Sequence, residues 1–337
     1  MISKFEKKEF LKKSAEIGKN ILYVQGSGGN TSIKVQNNLF IKASGFELKD
    51  AYNKNIFVNV DYKKVIEGIN SNKKDPLTNA WENSGELRPS IETSLHAIIP
   101  YKYVMHLHCI NSLSWLVQKD FKIKILQKIN DKDVAIVPYF TPGRDLTMAI
   151  QKQLSNKVNK ILLLTNHGIV VSDDNLEMLL KNLERISSNL SQKVSYIKKA
   201  NFSFLEEISK GTPFRITQCS ISNQIALSQC AINYTTGGYM FPDQVVFLSN
   251  GFAVINSKED IQEIYKNKKN NDLLPILIIP NKGILVPRTL SNKTELILKT
   301  LAMIINRIPP KATINYLSEK EARKLSKMES EIYRKNL

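Results

Sequence analysis

Three of the four histidines in this chain fall into one pattern, His106-Leu107-His108 and then, far downstream, His167-Gly168. On a β-strand, residues two apart point to the same side, so His106 and His108 present both imidazoles together. Tyr103-Val104-Met105 just upstream supports such a strand. His167 follows the apolar run Ile161-Leu162-Leu163-Leu164-Thr165-Asn166. That run reads as a buried strand delivering its last residue to a site, with Gly168 allowing a close approach or a turn. Three neutral imidazoles with a free fourth position are the usual ligand set of a catalytic zinc, and another divalent transition metal suits the same donors.

Three further segments fit chemistry on an anionic substrate. Gly28-Gly29-Asn30-Thr31-Ser32 offers main-chain N–H groups and hydroxyls in a loop that glycines keep open. Lys42-Ala43-Ser44-Gly45 adds a cation, a hydroxyl and a glycine amide, and Arg88-Pro89-Ser90 stands where a helix begins, with Ser90 as its expected N-cap. Together they would cradle a phosphate. Glu92, expected as the second residue of that helix, would stay ionised beside the helix dipole and a dication, which suits proton abstraction next to a polarised carbonyl. Alternatively it only completes the helix start. His96, one turn on, shares its face. It could be a fourth ligand, could position Glu92, or could be a hydrogen-bonded core residue.

These groups need elements to hold them. Residues 4–24 carry apolar positions at helical spacing, and strands follow over Thr31–Val35 and Leu39–Ala43 with Gln36-Asn37-Asn38 as their turn. A helix near Asp61–Ile69 leads into a polar loop, Asn70–Leu87, that contains Pro76 and Gly85. After the histidine strand come helices over 111–129, a strand at Val134–Tyr139, a helix after Pro142-Gly143, strands within Ile161–Val171, and a long helix from Asp174 to about Ala200. Composition changes over 201–215, which sets the expected boundary between residues 1–200 and 201–337. In the tail, strands are expected at Val245–Leu248, Ala253–Ile255 and Ile276–Ile279, then helices over Ser291–Arg307 and from Ser318. The fold class is therefore α/β, with a larger first domain and a smaller α/β domain after it.

At 337 residues the chain is long enough for two cores, and its 42% hydrophobic and 23% charged content is ordinary for a globular protein. No apolar run is long enough for a membrane span, and Met1-Ile2-Ser3-Lys4-Phe5-Glu6-Lys7-Lys8 lacks a secretory core, so no membrane partner is expected. Cys109, Cys219 and Cys230 make an odd count without a CxxC pair, which suits a reducing, cytoplasmic setting. The net charge of +17 is spread over the whole chain rather than gathered in a basic block. It therefore fits a surface that attracts small anions better than a nucleic-acid partner.

Gly29-Asn30-Thr31-Ser32, Ala43-Ser44-Gly45, Pro89-Ser90-Ile91-Glu92, His106-Leu107-His108 and Asn166-His167-Gly168 occur in the order seen in the class II aldolase/adducin family, and the chain resembles that family. The segment Arg88 to His96 looks closest to the aldolase portion of bifunctional aldolase/short-chain-dehydrogenase proteins, although no Gly-rich dinucleotide fingerprint follows a strand here. The tail, including residues 239–248 and 329–334, is similar to what those chains carry after the aldolase portion. The resemblance implies an α/β/α layered domain with a central, mainly antiparallel sheet, and a homotetramer with sites between subunits. It also implies zinc on His106, His108 and His167, Glu92 as acid/base, and a sugar phosphate held by Gly29, Asn30, Ser44, Gly45 and Ser90. Tyr139 is a counterpart of the tyrosine that family aldolases lend to a neighbour. The implied reaction is aldol cleavage of a ketose 1-phosphate; epimerisation or decarboxylation on the same site, or a non-catalytic adducin-like module, are the alternatives. Where phosphate-specific members carry a second serine, this chain has Ile91, one hydroxyl fewer.

Overall fold

The computed structural model describes residues 4–81, 87–194, 198–267 and 273–336. They form two compact units. The first takes Met1–Leu116, Asp120–Ser191 and Arg323–Leu337, and the second takes Val117–Lys119 and Gln192–Ala322.

The first unit is built on a seven-stranded sheet. In chain order its elements are α1 (Lys4–Lys19), β1 (Asn30–Val35), β2 (Asn38–Lys42), β3 (Phe57–Asp61), α2 (Tyr62–Asn70), α3 (Thr93–Ile98) and β4 (Tyr103–Leu107). They continue as α4 (Ile110–Leu116), α5 (Phe121–Ile129), β5 (Val134–Val137), α6 (Arg144–Asn156), β6 (Ile161–Leu164), β7 (Gly168–Asp173) and α7 (Leu176–Asn189). The strand order is β3-β2-β1-β4-β7-β6-β5, antiparallel throughout except for the β5–β6 pair.

Alternation along the strands feeds two cores. Ile33, Tyr103, Met105, Leu107, Ile161, Leu163, Ile169 and Val171 pack with Phe10, Leu116, Ile125 and Leu183, on the side of α1, α4, α5 and α7. Val104, Leu162, Leu164 and Val170 pack with Leu95, Leu146 and Ile150, on the side of α3 and α6. Leu39, Ile41, Val58 and Val60 meet Val65, Ile69 and Ala97 of α2 and α3. This is the expected layered α/β/α arrangement around a mainly antiparallel sheet. His106 shares the face of Val104, so it points toward α3.

The second unit holds a four-stranded sheet in the order β8-β11-β10-β9. Its elements are α8 (Phe202–Ser209), β8 (Phe214–Ile216), α9 (Gln229–Thr236), α10 (Pro242–Phe247), β9 (Phe252–Val254), α11 (Lys258–Lys266), β10 (Ile276–Ile279), β11 (Gly283–Pro287) and α12 (Asn292–Ile305). Leu205, Phe214, Ile255, Ile261, Leu277 and Leu285 form its core. Buried Glu295 accepts from both guanidinium nitrogens of Arg215, from the Thr217 hydroxyl and from the Gln218 amide, so that charge is fully satisfied. The helix α13 (Glu319–Ser326) leads back to the first unit, which ends in α14 (Glu329–Asn336).

Several expected elements differ. α1 stops at Lys19 because the Asn20 side chain accepts the Leu22 amide and folds the next residues into a turn. The long helix expected to reach about Ala200 ends at Asn189, where Trp115 Nε1 donates to the Leu190 carbonyl. Residues 195–197 of that stretch, and Gly85 within the polar loop, lie outside the described residues. Val245–Leu248 is not a strand: Pro242 starts α10, where its missing N–H and fixed φ suit a first turn. A short, wholly buried apolar run has no period to distinguish the two states.

Candidate metal centre

The histidines meet at one end of the β4–β7 pair. His106 is the penultimate residue of β4 and pairs with Val170 of β7; His108 stands just past β4, and His167 just before β7. All three are buried, with ring centroids 5.3 Å apart for His106–His108, 4.7 Å for His106–His167 and 5.4 Å for His108–His167. One ligand nitrogen from each lies within 4.8 Å of the others. Such a convergence of buried imidazoles fits a single divalent ion.

Two glycines allow this convergence. Gly168 has φ +149°, and a Cβ there would sit 2.3 Å from the Leu107 carbonyl oxygen. A side chain would therefore force β7 away from β4 and take His167 with it. Gly29 has φ +63° and packs its Cα side against the His106 carbonyl, 3.0 Å from where a Cβ would be. This brings the Gly28–Asn30 loop down onto the ligand strand.

Glu92 faces the cluster. Its Oε2 is 3.4 Å from His106 Nε2, and its Oε1 is 3.4 Å from His167 Nε2. It is not the second helical residue: α3 begins at Thr93, and Glu92 occupies the capping position with φ −95° and ψ 8°. Ser90 is not the N-cap either, since its hydroxyl accepts the Glu92 amide within a turn that precedes the helix. Standing half outside the helix lets the carboxylate swing toward the imidazoles. Burial alone would push its carboxyl up. The charges of His106 and His167, then the Asn30 hydrogen bond and then His108, outweigh burial and hold it at about 2.

The remaining expected residues divide into four groups. Asn30 reaches the carboxylate and ties Ser90 beside it: its Nδ2 donates to Glu92 Oε2 at 2.8 Å and to Ser90 Oγ at 3.3 Å. Ser44 and Gly45 are brought beside them by the Ala43–Pro89 bridge and by the Ser44 amide, which donates to the Arg88 carbonyl at 2.9 Å. Lys42 and Arg88 point elsewhere. Lys42 is buried, and its ammonium donates to the carbonyls of Ser27, Ala43 and Phe46, so its three donors tie the two loops from beneath instead of facing an anion. The guanidinium of Arg88 lies over the Tyr333 ring at 4.8 Å, with Glu329 3.6 Å away, both on α14. Tyr139 follows β5; its hydroxyl oxygen is buried within its own chain, so a reach toward another subunit requires the Pro138–Pro142 segment to move.

Sequence reasoning missed the polar stripe beneath the site. Asn30, Ser32 and Lys34 alternate along β1 and grip α3 along its length. Ser32 Oγ and His96 Nδ1 are 2.7 Å apart, His96 Nε2 bonds to Asn30 Oδ1, and Lys34 Nζ donates to the Ile99 and Tyr101 carbonyls beyond the helix end. His96 is therefore not a ligand. Burial, then the charges of Lys34 and His106, lower its pKa well below the ordinary imidazole value. The signal was present as a polar residue at every second place in Asn30-Thr31-Ser32-Ile33-Lys34, a pattern unusual for a strand buried on both faces.

The sequence matches the Class II Aldolase and Adducin N-terminal domain over residues 18–192. It is 29% identical over 177 residues to the uncharacterized oxidoreductase YuxG of Bacillus subtilis (strain 168), a stretch that covers 48% of this chain and 26% of that protein. The chain thus spans about a quarter of this curated relative's length. Among solved structures it is similar to the N-terminal class II aldolase domain of a conserved protein from Thermoplasma acidophilum, with 25% identity, 56% of this chain and 93% of that one covered, and a TM-score of 0.48. It is also similar to an L-fuculose 1-phosphate aldolase (20% identity, 56% and 85% covered, TM-score 0.41). A sugar-phosphate aldolase from Thermotoga maritima is a third (13% identity, 55% and 91% covered, TM-score 0.42).

Proposed function

The chain belongs to the class II aldolase and adducin family, and from that membership we propose a metal-dependent lyase that cleaves a ketose 1-phosphate or related sugar phosphate to dihydroxyacetone phosphate and an aldehyde. The observation that carries this reading is the Glu92 carboxylate set 3.4 Å from Nε2 of both His106 and His167. A divalent ion, zinc in this proposal, held by His106, His108 and His167 supplies the Lewis acidity that stabilises charge on a ketone oxygen.

The protein's own groups do the rest. Glu92 is ionised and hydrogen-bonded, so it can take a proton from the hydroxymethyl carbon of dihydroxyacetone phosphate in condensation and return it in cleavage. Such general acid–base catalysis contributes roughly 10²–10⁴ in rate. Ser44, Gly45 and Ser90, with Gly29 and Asn30 on the facing loop, hold the phosphate, and Arg88 joins them when it leaves Tyr333. Tyr139 is assigned the proton on the aldehyde oxygen, after movement of its segment. Among the described residues, no helix is long and apolar enough to cross a membrane. A homotetramer is part of the proposal, on the family resemblance.

Metal analysis followed by a panel of ketose 1-phosphates tests the reading. About one divalent ion per chain and metal-dependent release of dihydroxyacetone phosphate are expected. Inversion at a carbinol carbon, or release of carbon dioxide from a sugar-acid phosphate, without that product replaces the lyase by an epimerase or decarboxylase. A protein that binds no metal is an adducin-like module.

A further inference from the structure

We propose that His96 is a positioning residue: through Asn30 it fixes which way the Glu92 carboxylate is held, in a buried one-directional chain Ser32–His96–Asn30–Glu92. The proposal rests on the reading of Glu92 as the acid/base.

The direction of the chain follows from what each atom can do. A carboxylate oxygen only accepts, so the Asn30 atom 2.8 Å from Glu92 Oε2 must be the amide nitrogen. Asn30 Oδ1 then faces His96, and an amide oxygen also only accepts. His96 must therefore carry its proton on Nε2. Being neutral, it leaves Nδ1 as an acceptor, which the Ser32 hydroxyl fills at 2.7 Å. All four residues are buried, so water replaces none of these bonds.

The opposite tautomer would present a bare nitrogen to Asn30 and favour a flipped amide. Oδ1 would then oppose the carboxylate, and Glu92 would lose its donor. The Ser32 hydroxyl, able to donate or accept, fits this tautomer; the tautomer and the amide orientation support each other, and the amide holds Oε2. Oε1 is left toward His167, in a place to exchange a proton with a substrate carbon. Asn30's second amide hydrogen goes to Ser90 Oγ, so the same amide orientation also sets the serine beside the proposed phosphate site.

Long-range proton–nitrogen NMR of the metal-free protein reads the tautomer without any turnover. A neutral His96 protonated on Nε2 from pH 6 to 8 is expected; the Nδ1–H form or an imidazolium would overturn the chain. In the zinc-loaded protein, solvent deuterium exchange into dihydroxyacetone phosphate reads the consequence. His96→Phe should slow exchange about 10–100-fold, the usual effect of losing a supporting partner, with bound zinc unchanged. His96→Gln, which keeps a donor toward Asn30 and an acceptor toward Ser32, should recover to within about threefold of the original rate by the same logic. Equal loss in both variants, or none in His96→Phe, overturns the proposal. If the His96 variants do not fold, the wild-type tautomer decides alone: the Nε2–H form supports the chain, and the Nδ1–H form overturns it. A wild-type protein that exchanges nothing would sink the aldolase reading alone, since the tautomer still decides the chain.

Discussion

Asn30 sits directly opposite His106 in the register of β1 and β4, and from that position its amide reaches the carboxylate of Glu92. One sheet pairing therefore sets three things at once: the histidine strand, the glycine loop before Asn30, and the charged oxygen between them. Because these are fixed by main-chain geometry, side-chain changes at the site should separate binding from chemistry.

Glu92→Gln preserves shape and the contact distance while removing the charge. Bound metal should stay near about one per chain, and proton exchange into dihydroxyacetone phosphate should fall by roughly 10²–10⁴. Metal analysis beside a deuterium-exchange assay checks both, and full activity in this variant would falsify the role given to Glu92.

Gly168→Ala places a methyl where only 2.3 Å separates it from the Leu107 carbonyl, at a φ that L side chains rarely adopt. Backbone strain of this kind costs about 1–3 kcal/mol. The displaced His167 should weaken metal affinity, at least as much as the 10–100-fold typical of losing a supporting contact. Titration with a chromophoric chelator measures it; wild-type affinity would mean that His167 does not depend on this close approach.

Lys42 and Arg88, alike in charge, should behave differently. Lys42→Met leaves three main-chain carbonyls without their donor, each worth about 1–3 kcal/mol if it stays buried, so folding should suffer. Arg88→Gln loses only a surface cation over Tyr333, worth about 0.5–1 kcal/mol, and should raise KM for a phosphorylated substrate without changing kcat. Tryptophan fluorescence suits the stability measurement, since Trp81 and Trp115 both lie in the first unit. Equal stability losses would show that the two cations are not used differently.

Lys34 gives a pH signature. Burial lowers its pKa to about 7, with Asp174 opposing, against an ordinary value of 10.5. Between those two values the unfolded chain holds a proton that the folded chain has released, so stability rises with pH across this window and the lysine's penalty is complete below it. The slope from one such group is at most about 1.4 kcal/mol per pH unit. Urea unfolding at pH 7 to 9.5 should show the wild type gaining on Lys34→Met as pH rises. Parallel curves would place Lys34 in a better-solvated setting.

Much of the candidate site's geometry was legible in the sequence because paired histidines and strand alternation leave local patterns. His106-Leu107-His108 shows its geometry in two residues, and His167 follows from the apolar run before it. What was missed depended on partners far away in the chain. Nothing near Lys42 says that its ammonium will meet the carbonyls of Ser27 and Phe46, and nothing near Arg88 announces Tyr333. Glu92 was assigned to the helix because its neighbours favour one; the turn made by Ser90 decided otherwise. β3 was overlooked although Phe57-Val58-Asn59-Val60 alternates, because the helix that follows dominated the window.

The return of residues 323–337 to the first unit has a practical side. The ribosome delivers Tyr333 long after the histidines and Glu92 have emerged, so in a nascent chain Arg88 first stands without its aromatic neighbour. No single scissile position can release either body whole. A fragment stopped near residue 200 would therefore be a poor substitute for the intact polypeptide in any measurement of anion affinity.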